Sequence, residues 1–382
     1  MALASELIEQ TSEDSPSSPE PIARGETKQR PMFWHRVRDV ALHLCLTGVL
    51  MLLIGEAWTR LPGSPQAIQY LYDEELSYRY APNQTATSRL LSLYGIDSPP
   101  MHIDERGFRN SAADWSGLTL LALGSSEVLG PGVAEEHLWT SRLSELLSQS
   151  GGRKVQVYNA GTGGYGPYHS AVVFKRFLED DLSPALAIVR VSLADSDFVQ
   201  PTLDQLKTEK TRKDQRDRIK RYSRFLSFVF AKMKLQGESL KAIPSYLVSG
   251  QAVRDPYSAK AGEAMWAANG EHWSRIASLA NERKIPVMFM IADPYGTEGG
   301  SALLSAFQAN LGHDPCVLIR RYTNELFQLN QSEISERRKI YKERYMLPHD
   351  EHGNVLQHQV IASELYRYLQ TDFNAGQREG CK

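Results

Sequence analysis

Four residues of this 382-residue chain have types and spacing that suit a common chemistry: two adjacent serines early, and an aspartate and a histidine late. "LALGSSEVLGPGV", residues 121–133, runs from apolar Leu121–Leu123 into Gly124-Ser125-Ser126-Glu127. "YMLPHDEHGNVLQHQVIASEL", residues 345–365, sets Asp350 two positions before His352. A serine hydroxyl is a poor nucleophile until a base removes its proton. An imidazole base in turn needs a carboxylate to fix its tautomer and stabilise its charge. Asp350 and His352 on one loop supply both partners, provided that loop sits beside the strand ending at the serines. The blander alternatives are an ordinary strand-to-helix turn and a surface Asp-x-His pair.

The surrounding pattern supplies elements able to position such a site. "GLTLLAL", 117–123, is a short apolar run that suits a buried strand. "KVQVYNAG", 154–161, alternates Val155, Val157 and Asn159 before breaking at glycines, and "ALAIVRVSL", 185–193, reads as a third strand. "VMFMIA" after Pro286 is a fourth. Between them, residues 135–149, "HSAVVFKRFLEDDL" and "HWSRIASLANERK" carry helical spacing, and "VLQHQVIASELYRYL" closes the chain with an amphipathic helix. Alternating strands and helices predict a parallel sheet covered by helices on both faces. Sites in such sheets lie at the carboxyl ends of the strands, where Gly124-Ser125-Ser126 falls.

The N-terminal segment has a different character. Residues 1–32 are rich in Ser, Glu and Pro and predict a disordered tail. Val40–Trp58, "VALHLCLTGVLMLLIGEAW", is broken only by His43 and Glu56 and approaches the ~20 residues that a bilayer core requires. Lys28, Arg30, Arg36 and Arg38 precede it, whereas Arg60 alone follows closely. The positive-inside tendency then puts the N-terminus in the cytoplasm and the body outside. The predicted organisation is a cytoplasmic tail 1–32, a transmembrane helix 33–60, a connecting lead-in 61–115 and a catalytic-type domain 116–372.

A net charge of −2 gives no global attraction to nucleic acid. The segment "LKTEKTRKDQRDRIKRYSRF", inside an insertion at about 200–265, is basic but poor in stacking aromatics. It reads first as a solvated helix face, then as a surface for the membrane or a partner subunit, so residues 200–240 join helix 40–58 as candidate contacts for a membrane complex. Cys45, Cys316 and Cys381 are too few for a disulfide framework. Cys316 and Cys381 can pair in an oxidising compartment or stand as separate thiols. Gly161, Gly163, Gly164 and Gly166 form a tight turn rather than a phosphate cradle, because no Lys-Ser/Thr follows. His352 with His358 makes a poor metal site, and no cofactor is implied. Trp266 and Trp273, seven apart, are expected to pack.

Taken together and in this order, the motifs resemble the SGNH/GDSL hydrolase superfamily, and its membrane-anchored bacterial members most closely. The resemblance spans about residues 70–370. "LGSSEVLGPGV" is similar to the first block and places the nucleophile at Ser126; "VYNAGTGGYG", 157–166, is similar to the second, whose oxyanion glycine falls at Gly164. "SPALAIVRVSLAD", 183–195, corresponds to the third, and Asp350-Glu351-His352 to the fifth. Upstream, "YRYAPN", 78–83, and "ERGFRN", 105–110, resemble a lead-in of the anchored members. The implied fold is a flavodoxin-like three-layer α/β sandwich with a parallel sheet, preceded by one N-terminal transmembrane helix. The implied setting is the bacterial inner membrane with a periplasmic body.

This chain departs from the pattern twice. Ser125 stands where the first block usually has Asp, and Ala194 replaces the third-block Asn that donates to the oxyanion. Alanine has no side-chain donor, and loss of one such donor costs ~10²–10³ in rate in measured cases. Ser192 and Ser196 stand nearby as possible substitutes. Two functions follow from the resemblance. One is an extracytoplasmic esterase or O-acetyl esterase acting on lipid, glycan or exopolysaccharide, with catalytic Ser126, His352 and Asp350 and the Ser126 and Gly164 amides as oxyanion donors. The other is a catalytically impaired subunit that retains the fold as a structural component of a membrane complex.

Overall fold

The computed structural model describes residues 31–60, 68–87, 98–111, 115, 117–193, 257–348, 350, 352–370 and 381. The expectations for the 1–30 tail, for Ala194, Asp195 and Ser196, and for most of the 200–265 insertion lie outside the described residues. The chain divides into two compact units, Met1–Gly55 and Glu56–Lys382.

The described part of the first unit belongs to helix α1 (Pro31–Arg60). Its stretch Val37–Ala57, 21 residues with a mean hydropathy of 2.0, is long and apolar enough to cross a membrane. Leu44, Met51, Leu53 and Ile54 are all exposed, unlike the side chains of a helix from a soluble core, and a continuous apolar surface of this kind calls for lipid or a partner.

The second unit is built on a five-stranded parallel sheet: β5 (Leu118–Leu123), β6 (Val155–Asn159), β7 (Leu186–Ser192), β8 (Val287–Ala292) and β9 (Val317–Tyr322). The spatial order is β6-β5-β7-β8-β9. Numbered within the sheet this is 2-1-3-4-5, the flavodoxin-like order, whose direction of winding reverses between β5 and β7. Both sheet faces are buried, which accounts for near-continuous apolar strands rather than alternating ones. On one face Leu121, Leu123, Val189 and Phe289 pack against α4 (Pro167–Glu179), α5 (Ala259–Arg283) and α6 (Glu298–Leu311). On the other, Leu120, Ala122, Ile188 and Met290 pack against α3 (Trp139–Gly151), α7 (Ile334–Tyr345) and α8 (Val355–Tyr368). One further helix, the single turn α2 (Ser126–Leu129), follows β5 directly. The three layers match the architecture expected from the sequence.

The four expected strands are present within a residue or two of the expected positions. The fifth, β9, was not expected: Arg320 and Arg321 interrupt its apolar run. Arg321 is nevertheless held by the buried Asp293 carboxylate, and the Arg320 guanidinium lies 3.9 Å from the Tyr368 ring centroid. Helix α5 starts at Ala259, well before the segment read as helical, and buries Met265 and Trp273. Trp266 and Trp273 pack against Phe307, as their spacing suggested. The lead-in contains two antiparallel pairs, β1 (Tyr70–Asp73) with β2 (Ser77–Tyr80) and β3 (Gln84–Ala86) with β4 (Met101–Ile103). Strands of three and four residues are too short to display a period of two, so the sequence reads there as a plain connection.

Candidate active site

The nucleophile candidate sits at the winding reversal. β5 ends at Leu123, and Ser126 opens α2 three residues later, at the carboxyl edge of the sheet. The turn is too short to hold itself, and buried side chains from elsewhere fasten it. Asn159, at the end of β6, donates from Nδ2 to the Val128 carbonyl at 2.8 Å. Arg109 donates to the Leu129 carbonyl at 2.9 Å, to the Gly130 carbonyl, and to the Val133 carbonyl at 2.5 Å. Burial pulls the Arg109 guanidinium down to about 10, partly countered by Glu135, so it remains charged at neutral pH. Arg190, a cation in the middle of buried β7, pairs with Glu127 and donates to the Tyr322 hydroxyl at 2.6 Å. The residue adjoining Ser126 is thereby tied to the sheet.

The glycine loop after β6 packs directly on this turn. A Cβ on Gly161 would fall 2.6 Å from Val128 Cβ, a separation that only glycine avoids. A Cβ on Gly163 would stand 4.0 Å from that of Ser126. Gly164 has φ +81°, in the left-handed region that glycine enters at no steric cost. Among the described residues, neither the Ser126 nor the Gly164 amide donates to a protein group. Thr162 and Tyr165 of the same loop also line a cavity of about 380 Å³ with Arg79, Phe108, Arg176 and Phe177, whose walls include neither Ser126 nor His352.

The C-terminal loop supplies the acid–base pair. His352 Nδ1 hydrogen-bonds to Asp350 Oδ1, and the His352 amide donates to the same oxygen at 2.8 Å. Asp350 is an acceptor when ionised, so Nδ1 carries the proton and Nε2 presents a lone pair. The Asp350 side chain is 6% exposed and that of His352 26%, so the acid is buried while the imidazole remains accessible. The loop is closed by the Leu347 amide donating to the His352 carbonyl, and α8 is capped by the Asn354 side chain. His358, one turn into α8, accepts from the Trp139 amide at 3.1 Å and lies 3.2 Å from where a Cβ on Gly130 would stand. Burial, then the Arg109, Arg190 and His352 charges, hold His358 down at about 3. It is neutral, enclosed and already used as an acceptor, whereas the His352 imidazole is accessible.

Asp350 and His352 are therefore joined, and Ser126 adjoins Gly163 beside the Gly164 amide. Helix α8, which follows the His352 loop, rests against Gly130, four residues past Ser126. No hydrogen bond joins Ser126 to His352 among the described residues. Among the supporting residues, the sequence marks Asn159 only as a strand position and His358 only as a poor metal ligand, and it does not single out Arg109, Asn110 or Arg190. Arg190 left a signal there, a lone cation inside the apolar "ALAIVRVSL". The "ERGFRN" segment contained Arg109 and Asn110 but gave no indication of what they bind.

The sequence matches no family model, and no curated protein matches it. Solved structures are similar at low identity. Esterase EstA from Pseudoalteromonas sp., inhibited by monoethylphosphonate, shares 12% identity over 67% of this chain and 99% of its own, with a TM-score of 0.38. TesA shares 12% over 66% of this chain and 98% of its own (TM-score 0.37). The lipase Lip_vut3 from a goat rumen metagenome shares 10% over 65% and 96% (TM-score 0.39). At this level of likeness the functional reading rests on the geometry of the chain itself.

Proposed function

We propose that this chain is a membrane-anchored serine hydrolase of the SGNH type that cleaves esters or O-acetyl groups outside the cytoplasm. The observation that carries the reading is the Asp350–His352 hydrogen bond, on a loop whose following helix packs against the turn that Ser126 begins. Ser126 Oγ attacks the acyl carbonyl while His352 Nε2 takes its proton. The C–O bond to the alcohol then breaks, and His352 returns that proton to the departing oxygen. Water, deprotonated by the same imidazole, attacks the acyl-serine and releases the carboxylic acid and free Ser126. Asp350 holds the tautomer and balances the imidazolium, and the Ser126 and Gly164 amides face the developing oxyanion. A serine–histidine bond that is long in the free enzyme shortens once substrate is bound.

An extracytoplasmic setting is supported by the apolar helix with its basic N-terminal flank and by the Cys316–Cys381 disulfide, since such bridges persist in oxidising compartments. Ala194, with no side-chain donor, favours the second reading, a fold kept as a non-catalytic subunit. One experiment separates the two. The full chain in detergent should react with a fluorophosphonate probe and turn over p-nitrophenyl acetate, and Ser126→Ala should lose both. Turnover unchanged in Ser126→Ala would overturn the assignment. Absence of labelling together with stable co-purification of membrane partners would favour the structural subunit.

A further inference from the structure

The lead-in hairpin ends on two phenols that grip a single residue of the glycine loop. Tyr78 and Tyr80 are two apart on β2, so the alternation of a strand sends both side chains to one face. Tyr80 Oη accepts from the Gly163 amide at 3.0 Å, and Tyr78 Oη donates to the Gly163 carbonyl. The Gly163 carbonyl and the Gly164 amide belong to one planar trans peptide, in which C=O and N–H point in opposite directions. A donor that fixes the carbonyl on one side therefore fixes the Gly164 N–H on the other. The peptide before it is fixed as well, by Tyr80 at the Gly163 N–H and by the Tyr165 amide at the Thr162 carbonyl, 3.1 Å away.

The hairpin is itself anchored. Tyr165 Oη donates to the Tyr78 carbonyl at 2.6 Å, and Arg176 on α4 pairs with Asp73 at 2.7 Å and with Glu75 at 2.6 Å. Leu76 at the tip is buried in the body's core. Burial raises the Tyr80 hydroxyl far above its ordinary value, so it stays neutral throughout the working range.

We propose that Tyr78 and Tyr80 are positioning residues for the oxyanion hole: a hairpin contributed by the membrane-proximal lead-in aims the Gly164 amide at the reacting carbonyl. The proposal rests on the hydrolase reading above. Neither phenol touches substrate; each acts through the Gly163 peptide units. Donors to an oxyanion are effective only when held in place before the charge develops, and small misplacements of such groups are costly.

Tyr78→Phe keeps the ring and deletes the donor; Tyr80→Phe deletes the acceptor. Each is measured in the full detergent-solubilised chain against p-nitrophenyl acetate, with kcat expressed per site titrated by a fluorophosphonate. Normalisation to titrated sites removes any unfolded fraction. The expected result is a kcat lowered about tenfold to a hundredfold, KM within about twofold of the parent, and slower fluorophosphonate labelling that still reaches one probe per chain. Unchanged kcat per site in both variants would overturn the clamp. So would losses that vanish on normalisation, which indicate a purely structural role. A parent chain that neither labels nor turns over removes the hydrolase reading itself, and is recognised before any tyrosine variant is made.

Discussion

At the scale of single residues, the site is organised by groups that are costly to bury and are satisfied one by one. Arg109 takes three carbonyls of the 129–133 segment, carbonyls that a one-turn helix cannot satisfy internally. Arg190 balances Glu127 in a setting where removing either partner would leave an uncompensated charge. His358 and His169 are buried neutral instead. Burial, with the neighbouring charges of Arg109, Arg190 and His352, sets His358 at about 3; burial and then His272 set His169 at about 4. The ordinary value is 6.5. Between these limits the unfolded chain binds protons that the folded chain excludes, so stability is full above about pH 6.5 and declines as pH falls toward 3. Each imidazole contributes a slope of up to about 1.4 kcal/mol per pH unit. Urea unfolding at pH 7, 6 and 5 should show this decline, and His358→Gln should flatten it; a stability independent of pH over this interval would contradict the buried-neutral assignment.

At the scale of elements, the segment that looked like a plain connection does much of the positioning. The β1–β2 hairpin reaches the glycine loop through Tyr78 and Tyr80, and Asn110 pairs with both backbone groups of Asn159. Arg176 holds the hairpin through Asp73. Burial would raise the Asp73 carboxyl, but the Arg176 hydrogen bond and the Leu76 and Glu75 amides outweigh it and leave its pKa below the ordinary value. At the other end of the body, the Cys316–Cys381 bond ties the residue before β9 to a position 65 residues later. Iodoacetamide applied without reductant to the denatured chain should therefore modify Cys45 alone, and should reach all three cysteines after reduction. Cys316→Ser should lower unfolding stability by about 2–4 kcal/mol. Full modification of three thiols before reduction would exclude the bridge.

At the scale of the whole molecule, one apolar helix and one α/β body have different solvent requirements. Val37–Ala57 presents its apolar side chains outward, whereas the body buries its apolar side chains on both faces of the sheet. The expected arrangement puts the N-terminus in the cytoplasm and the α/β body outside. Alkaline carbonate should leave the full chain in the membrane fraction. Protease added to intact spheroplasts should digest the body while sparing an N-terminal epitope; the reverse pattern would invert the topology and place the disulfide in a reducing compartment.

The apolar strands, the helices between them and the Asp350–His352 pair were legible because each is a local pattern. A buried parallel strand is an apolar run, an amphipathic helix repeats every three to four residues, and Asp-x-His is a spacing of two. β9 escaped notice because its arginines are neutralised by Asp293 and the Tyr368 ring, partners distant in the sequence. For the same reason neither Arg109, whose acceptors lie some 20–24 residues ahead, nor Tyr78, which meets Gly163 85 residues later, showed its role. The sequence alone determined the strand-and-helix alternation, the apolar helix and the Asp-x-His spacing that the structure closes into a hydrogen bond. Only the tertiary structure decided which buried cations hold the Ser126 turn and which phenols hold the Gly163 backbone, because hydrogen bonds between distant segments leave no periodicity in the chain.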